Sequence, residues 1–178
     1  AICGRTEETL GQAAKEISPT DPKVVLPIVA DVTQPAAAER FVHESYRAFG
    51  GVDILINNVG GNRRKSFLEA SDEDWAHVLE LNLLSGLRMT RAVVPLMRER
   101  QGGSVLFVSS LFGREAGGKG LSLYNTTKTA VISAAKIMAT ELAAENIRVN
   151  SIAPGSIRFP GGSWDRRVKE DPEGMAQF

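Results

Sequence analysis

Ser104-Val105-Leu106-Phe107-Val108-Ser109, a helical stretch over residues 121–144, then Ile147-Arg148-Val149-Asn150-Ser151-Ile152: this succession decides the fold. Both short runs are rich in β-branched and other apolar residues. They are nearly continuous rather than alternating, the pattern of parallel strands buried on both faces. A helix between two such strands is the crossover that parallel pairing requires. Upstream, residues 24–30 and 53–57 read as further strands. Residues 6–17 carry Leu10, Ala13, Ala14 and Ile17 at helical spacing, and residues 35–49 carry Ala38, Phe41, Val42 and Phe49. Ser71 with Asp74 three residues on reads as an N-cap with an acidic third position. It opens a long helix to about residue 100, with Trp75, Val78, Leu79, Leu83, Leu87, Val94 and Met97 on its apolar face. Strands alternating with helices predict an α/β fold, a doubly wound parallel sheet with helices on both faces and right-handed crossovers.

Composition narrows the function. The 178 residues read as a single domain spanning 1–178, with 43% hydrophobic and 24% charged residues. Lys plus Arg and Asp plus Glu are both 21, so no basic excess suggests nucleic acid as a partner. No apolar run approaches the length of about 18 residues that reads as a membrane span. The opening Ala-Ile-Cys-Gly-Arg lacks the basic and apolar regions of a signal peptide. Cys3 is the one cysteine, which precludes an internal disulfide and fits a reducing cytoplasm. His43 and His77 have no partners at metal-ligand spacing, so no metal is expected.

The chemistry-bearing residues fall at the carboxyl ends of the strands, where open α/β sheets bind ligands. Asp31-Val32, Asn57-Asn58-Val59-Gly60-Gly61, Ser109-Ser110-Leu111-Phe112-Gly113 and Pro154-Gly155-Ser156-Ile157 each follow one strand. Singly, each is also ordinary turn composition. Beyond the third lie Tyr124 and Lys128, four apart on one helical face. A cation beside a tyrosine favours tyrosinate over phenol, which makes the pair a proton donor and acceptor; the alternative is a surface pair met by chance.

Taken together, these residues resemble the short-chain dehydrogenase/reductases over nearly the whole chain. Tyr124-x-x-x-Lys128 is similar to the family's active-site motif, Ser110 to its catalytic serine, and Gly113 to the glycine three residues after it. Asn82 matches the asparagine that completes the family's tetrad. Asn57-Asn58-Val59-Gly60 is similar to its Asn-Asn-Ala-Gly element, and Asn150-Ser151-Ile152-Ala153-Pro154-Gly155 to its segment around the nicotinamide. The resemblance implies a Rossmann-like fold and catalysis by Asn82, Ser110, Tyr124 and Lys128. Tyr124 would exchange a proton with the substrate oxygen, and Ser110 would hydrogen-bond that oxygen. Lys128 would favour tyrosinate and bind the nicotinamide ribose, and Asn82 would hold a water linking Lys128 to solvent.

The implied cofactor residues are Gly4, Arg5, Asp31, Val32, Asn58, Val59, Gly60, Tyr124, Lys128, Pro154, Gly155 and Ile157. Ala1-Ile2-Cys3 looks like the tail of the family's second strand. Gly4 then stands where an acidic residue would bind the ribose of NAD, and Arg5 suits the 2′-phosphate of NADP. NADP is therefore the expected cofactor, with NAD possible. The family's first strand with its Gly-rich turn, and its last helix and strand, have no counterpart here, so a partial Rossmann-like domain is expected. A polypeptide of these residues alone is expected to bind NADP poorly, and as written is a doubtful catalyst. Val59 replaces the family's usual Ala, and Phe159 stands where the family often has a Thr that contacts the carboxamide.

Three other features compete for attention. Residues 113–120 nearly spell a phosphate-binding loop, but Gly120 stands where Ser or Thr would hold Mg²⁺; a flexible loop bordering the substrate is the reading kept. Arg63-Arg64-Lys65 suits either an anionic substrate or a solvated loop. Trp164, Val168, Met175 and Phe178 suit a short amphipathic lid. The expected function is a cytoplasmic, NADP-dependent interconversion of a ketone, such as a 3-oxoacyl group, and a secondary alcohol. Its partners would be the small-molecule substrate and further copies of itself, as a dimer or homotetramer joined through the two long helices. The alternatives are an NAD-dependent alcohol dehydrogenase of the same family and a nucleotide-binding scaffold without chemistry.

Overall fold

Local signals place the helices. A computed structural model describes residues 1–176. Ser71 and Asp74 form the full capping box, with the Ser71 hydroxyl accepting from Asp74 N–H and the Asp74 carboxylate accepting from Ser71 N–H. This box opens α3 (Asp72–Leu79), which runs through a π-helical turn (Glu80–Leu84) into α4 (Ser85–Glu99). The expected long helix is therefore one rod interrupted at Asn82. Gly50 closes α2 (Pro35–Phe49) in the left-handed region at φ 73° and returns its N–H to Tyr46 O at 2.8 Å, a conformation that glycine adopts without steric cost.

The strands are β1 (Ile2–Gly4), β2 (Pro27–Val29), β3 (Ile54–Asn57), β4 (Gly103–Val108) and β5 (Ile147–Ile152). The strand expected over residues 24–30 is shorter than its apolar run. Asp21 accepts from Lys23 N–H and turns Pro22–Val24 into a 3-10 segment, so pairing begins only at Pro27. The remaining helices are α1 (Glu7–Ile17), α5 (Ser122–Leu142), α6 (Ser163–Glu170) and α7 (Pro172–Ala176).

Among the described residues all pairing is parallel, in two sheets: β1–β2, and β3–β4–β5 with β4 in the middle. Between β1 and β3 lies a cavity of about 730 Å³ lined by Ile2, Cys3, Val42, Leu55, Met89 and Phe107 among others. The Cys3 thiol at its edge is half-buried, and burial pushes its pKa up.

One face of the three-stranded sheet forms the core. Leu55, Val105, Phe107, Ile147 and Val149 point into it and meet Met89, Val93 and Met97 from α4 and Val131 and Ala135 from α5. Full burial of such side chains contributes about 1.5–3 kcal/mol each. On the other face Ile54 and Ile56 are more than half exposed. Successive right-handed crossovers that step in one direction, β3 to β4 to β5, place their helices on the same side, so α4 and α5 lie together.

Candidate active site

The register aligns Asn57, Phe107 and Ser151 across the sheet, so the carboxyl ends of β3, β4 and β5 finish at one level. Two further bonds extend the β4–β5 seam past the strands, Ser109 N–H to Ile152 O at 2.8 Å and Leu111 N–H to Pro154 O at 2.9 Å. Ser110 is carried between them, buried. Its hydroxyl accepts from Phe112 N–H at 3.2 Å, which starts the next turn. The proton of that hydroxyl has no acceptor among the described residues.

Helix α5 presents Tyr124, Thr127 and Lys128 on one face. The Lys128 side chain is buried, its Nζ donating to Val108 O at 2.8 Å and lying 5.8 Å from the centre of the Tyr124 ring. Burial pushes the Lys128 pKa below its ordinary value, because a desolvated ammonium is disfavoured. Tyr124 is half-buried, and its hydroxyl makes no hydrogen bond among the described residues.

Asn82, at the π-helical turn, is buried and fully engaged. Its Oδ1 accepts from Gly61 N–H at 2.8 Å, while Nδ2 donates to Gly61 O and to Thr127 Oγ1, both at 2.9 Å. With both amide protons committed to protein acceptors, the side chain's remaining capacity is on Oδ1, and it can only accept. The same network brings the Asn57–Gly61 turn to Lys128. A Cβ placed on Gly60 would stand 3.1 Å from Lys128 Nζ and 3.3 Å from Asn82 Oδ1. Gly113 is confined likewise: a Cβ there would lie 2.7 Å from Ser109 Oγ and 2.8 Å from Lys128 O. Ser109 Oγ itself donates to Lys128 O at 2.7 Å and ties the end of β4 to α5.

The other expected site residues are more dispersed. The Asp31 carboxylate accepts from Thr33 Oγ1 at 2.7 Å and Thr33 N–H at 3.1 Å, which holds it below the usual carboxylate range, with Arg5 and His77 contributing by charge. Val32 is buried in the core, which leaves its backbone rather than its side chain for a ligand. Gly4 closes β1, and a Cβ there would meet only Leu10 at 3.6 Å, an ordinary contact. Arg5, Asn58, Val59, Gly155 and Ile157 are exposed, and Pro154 is half-buried.

Arg63 and Lys65 are neither free for an anionic substrate nor simply solvated. Both hold the buried Asp74, at 3.1 and 2.7 Å, and with Ser71 they keep its carboxyl far below the usual range. Arg64 instead crosses to the facing loop and donates to Lys119 O at 3.4 Å. That loop, over residues 113–120, is fastened to α5 by Thr129 Oγ1 donating to Gly113 O and Asn125 Nδ2 donating to Glu115 O. Among the described residues, no group of three or more His, Cys, Asp and Glu could hold a metal ion. In the expected lid, buried Asp165 accepts from Arg158 and Gly161 N–H, both at 3.1 Å, and from Lys169 at 2.7 Å, so its carboxyl is held down to about 2. Trp164 lies under the Arg167 guanidinium at 5.1 Å, and Val168 and Met175 are half-buried. Phe178 lies outside the described residues.

Residues 1–168 match the family model described as short chain dehydrogenase. The chain belongs to the short-chain dehydrogenases. The oxidoreductase UcpA of Escherichia coli K12 is 36% identical over 150 residues, covering 83% of this chain and 57% of that protein. The 3-oxoacyl-acyl-carrier-protein reductase FabG of Thermotoga maritima is 36% identical over 155 residues, covering 87% of this chain and 62% of the relative. The chain thus spans a little over half the length of these relatives. Among solved structures, L-sorbose reductase from Gluconobacter frateurii, complexed with NADPH and L-sorbose, has a TM-score of 0.87 at 34% identity, covering 96% of this chain and 64% of that one. A 7α-hydroxysteroid dehydrogenase complexed with NADH has a TM-score of 0.79 at 27% identity, covering 86% and 59%.

In this dehydrogenase chain, the structure gathers Asn82, Ser110, Tyr124 and Lys128, which the family resemblance had implied as a set, at one edge of the sheet, together with Thr127, to which sequence reasoning gave no role. Thr127 stood within the Tyr124–Lys128 run, three residues after Tyr124, so its place on the same helical face was the available signal. Gly60→Ala is expected to raise KM for the nicotinamide cofactor about tenfold in the full-length protein, because the added methyl must displace a buried ammonium or an engaged amide. Cofactor titration of the variant checks this, and an unchanged KM would mean that the turn yields freely.

Proposed function

We propose that the whole protein is an NADP-dependent oxidoreductase that interconverts a ketone and a secondary alcohol. One observation carries this reading. A buried Lys128 ammonium lies over Tyr124 at a strand edge with Ser110; among the described residues Lys128 has one acceptor, the Tyr124 hydroxyl has no partner and the Ser110 proton has no acceptor. Donor capacity left over on three side chains at one edge is suited to a ligand rather than to packing.

The residues present fit the nicotinamide half of the cofactor. Lys128 has two N–H groups left for ribose hydroxyls, and the missing Cβ of Gly60 leaves room beside its Nζ. NADP, when bound, supplies or accepts the hydride. In the reducing direction Ser110 donates a hydrogen bond to the carbonyl oxygen and holds it. Tyr124 delivers its proton to that oxygen as negative charge develops there. The adjacent ammonium then stabilises the tyrosinate that remains, and the alcohol reaction runs the same transfers backwards.

The preference for NADP is supported by Gly4, where packing leaves room for a side chain yet no carboxylate stands to repel a phosphate. Exposed Arg5 follows it at the start of α1. Substrates are proposed to be 3-oxoacyl-like or similar ketones, in keeping with the similarity to FabG. Assembly as a dimer or tetramer through α4 and α5 is supported by the exposed Ile137 on α5 and the exposed Leu84 just before α4. A cytoplasmic location accords with the lone cysteine, and no helix among the described residues is long and apolar enough to cross a membrane.

The test follows NADPH absorbance with full-length protein and a panel of ketones. Turnover of at least one ketone is the expected result, and none with either cofactor would sink the proposal. Arg5→Ala is expected to raise KM for NADPH about tenfold or more, the scale of a charge-assisted hydrogen bond to phosphate, with NADH affected less than twofold. Equal effects on both cofactors would favour the NAD-dependent alternative.

A further inference from the structure

We infer that Thr127 is a positioning residue that orients Asn82 and, through it, the Asn57–Gly61 turn beside Lys128; the inference rests on the active-site reading above. Thr127 is completely buried on the same face of α5 as Tyr124 and Lys128. Its hydroxyl has one proton and two lone pairs. It lies 2.9 Å from Leu123 O and 3.0 Å from Tyr124 O, and carbonyl oxygens only accept. The proton is therefore committed to the backbone of its own helix, on the turn that carries Tyr124. Toward Asn82, at 2.9 Å, the hydroxyl can then only accept.

An acceptor at that position admits one orientation of the Asn82 amide, with Nδ2 toward Thr127. That orientation also sets Oδ1 against Gly61 N–H and Nδ2 against Gly61 O, at 2.8 and 2.9 Å. A flipped amide would oppose oxygen to oxygen at Thr127 and at Gly61 O, and N–H to N–H at Gly61 N. Thr127 is fixed in a long helix and Gly61 belongs to a turn, so the order runs from helix to turn. The helix that carries Tyr124 and Lys128 thereby also holds the backbone that Lys128 abuts at Gly60.

Thr127→Val keeps the shape of the side chain but removes the acceptor, leaving a buried Asn82 proton without a partner. In the full-length protein, amide hydrogen exchange at Gly61 is expected to quicken about tenfold or more relative to the amides of β4, and kcat to fall about tenfold. Thr127→Ser restores the hydroxyl and is expected to recover both. Because the action passes through Asn82, Thr127→Val is expected to add nothing to the loss caused by Asn82→Ala. Should Thr127→Val fail to fold, Thr127→Cys, whose sulfur is only a weak acceptor, is read in the same way. Unaltered Gly61 exchange in the variant, failure of serine to rescue, or additive losses with Asn82→Ala would each overturn the inference. A wild-type protein that reduces no ketone would instead sink the oxidoreductase reading, and the Gly61 exchange would still decide the clamp.

Discussion

Tyr124→Phe is expected to lower kcat in the full-length protein by about a hundred- to ten-thousandfold, the range for loss of a positioned general acid–base. The same substitution is expected to leave the thermal stability of the cofactor-free protein nearly unchanged. The Tyr124 hydroxyl makes no hydrogen bond within the described residues, so its removal orphans no partner. The ring that lies beside the Lys128 ammonium is retained. Loss of turnover without loss of stability is what distinguishes a reacting hydroxyl from a structural one. Melting curves measured alongside NADPH turnover decide it, and a variant that keeps full activity removes Tyr124 from the chemistry.

Lys128→Met should have the opposite signature on stability. Turnover is expected to fall at least a hundredfold, since both the charge beside tyrosinate and the ribose donor are lost. The cofactor-free protein, however, is expected to gain stability near neutral pH, because the desolvated ammonium is gone. Burial lowers the folded-state pKa of Lys128 beneath its ordinary value, so between those two values the unfolded chain binds more protons and stability rises with pH. The cost of the buried ammonium is therefore fully present below the folded-state pKa. It fades as pH rises toward the unfolded-state value and vanishes above it. The gap between wild type and Lys128→Met should accordingly be widest at neutral pH and close at about pH 10–11, where lysine in the unfolded chain loses its charge. A gap that grows with pH, or a destabilised variant at pH 7, would mean that the ammonium's bonds to Val108 O and the Tyr124 ring outweigh its desolvation.

Both expectations turn on burial and on which donors lack partners, and neither quantity was visible in the sequence. Spacing along a helix showed that Tyr124 and Lys128 share a face, but not that the ammonium is buried under the ring. Charge composition showed a basic run at Arg63-Arg64-Lys65, but not that two of its three members close on Asp74. The capping box at Ser71 and Asp74 was legible because its bonds join residues three apart. The salt bridges to the same carboxylate join residues nine and eleven apart through a loop, where no periodicity applies.

The sequence by itself determined the alternation of strands and helices, the parallel pairing, the edge at which the polar residues gather, and the shared helical face of Tyr124 and Lys128. Those features follow from local rules: the period of apolar residues, capping and turn chemistry, and fixed spacings. Only the tertiary structure decided which side chains of the three-stranded sheet meet Met89, Val93 and Met97 of α4 and Val131 and Ala135 of α5 in the core. It also decided that Asn82 engages Gly61 and Thr127, and that Gly60 and Gly113 are confined by their neighbours. The physical reason is common to all of these. Hydrogen-bond partnership and desolvation depend on what fills the few ångströms around a group, and that is set by residues remote in the chain.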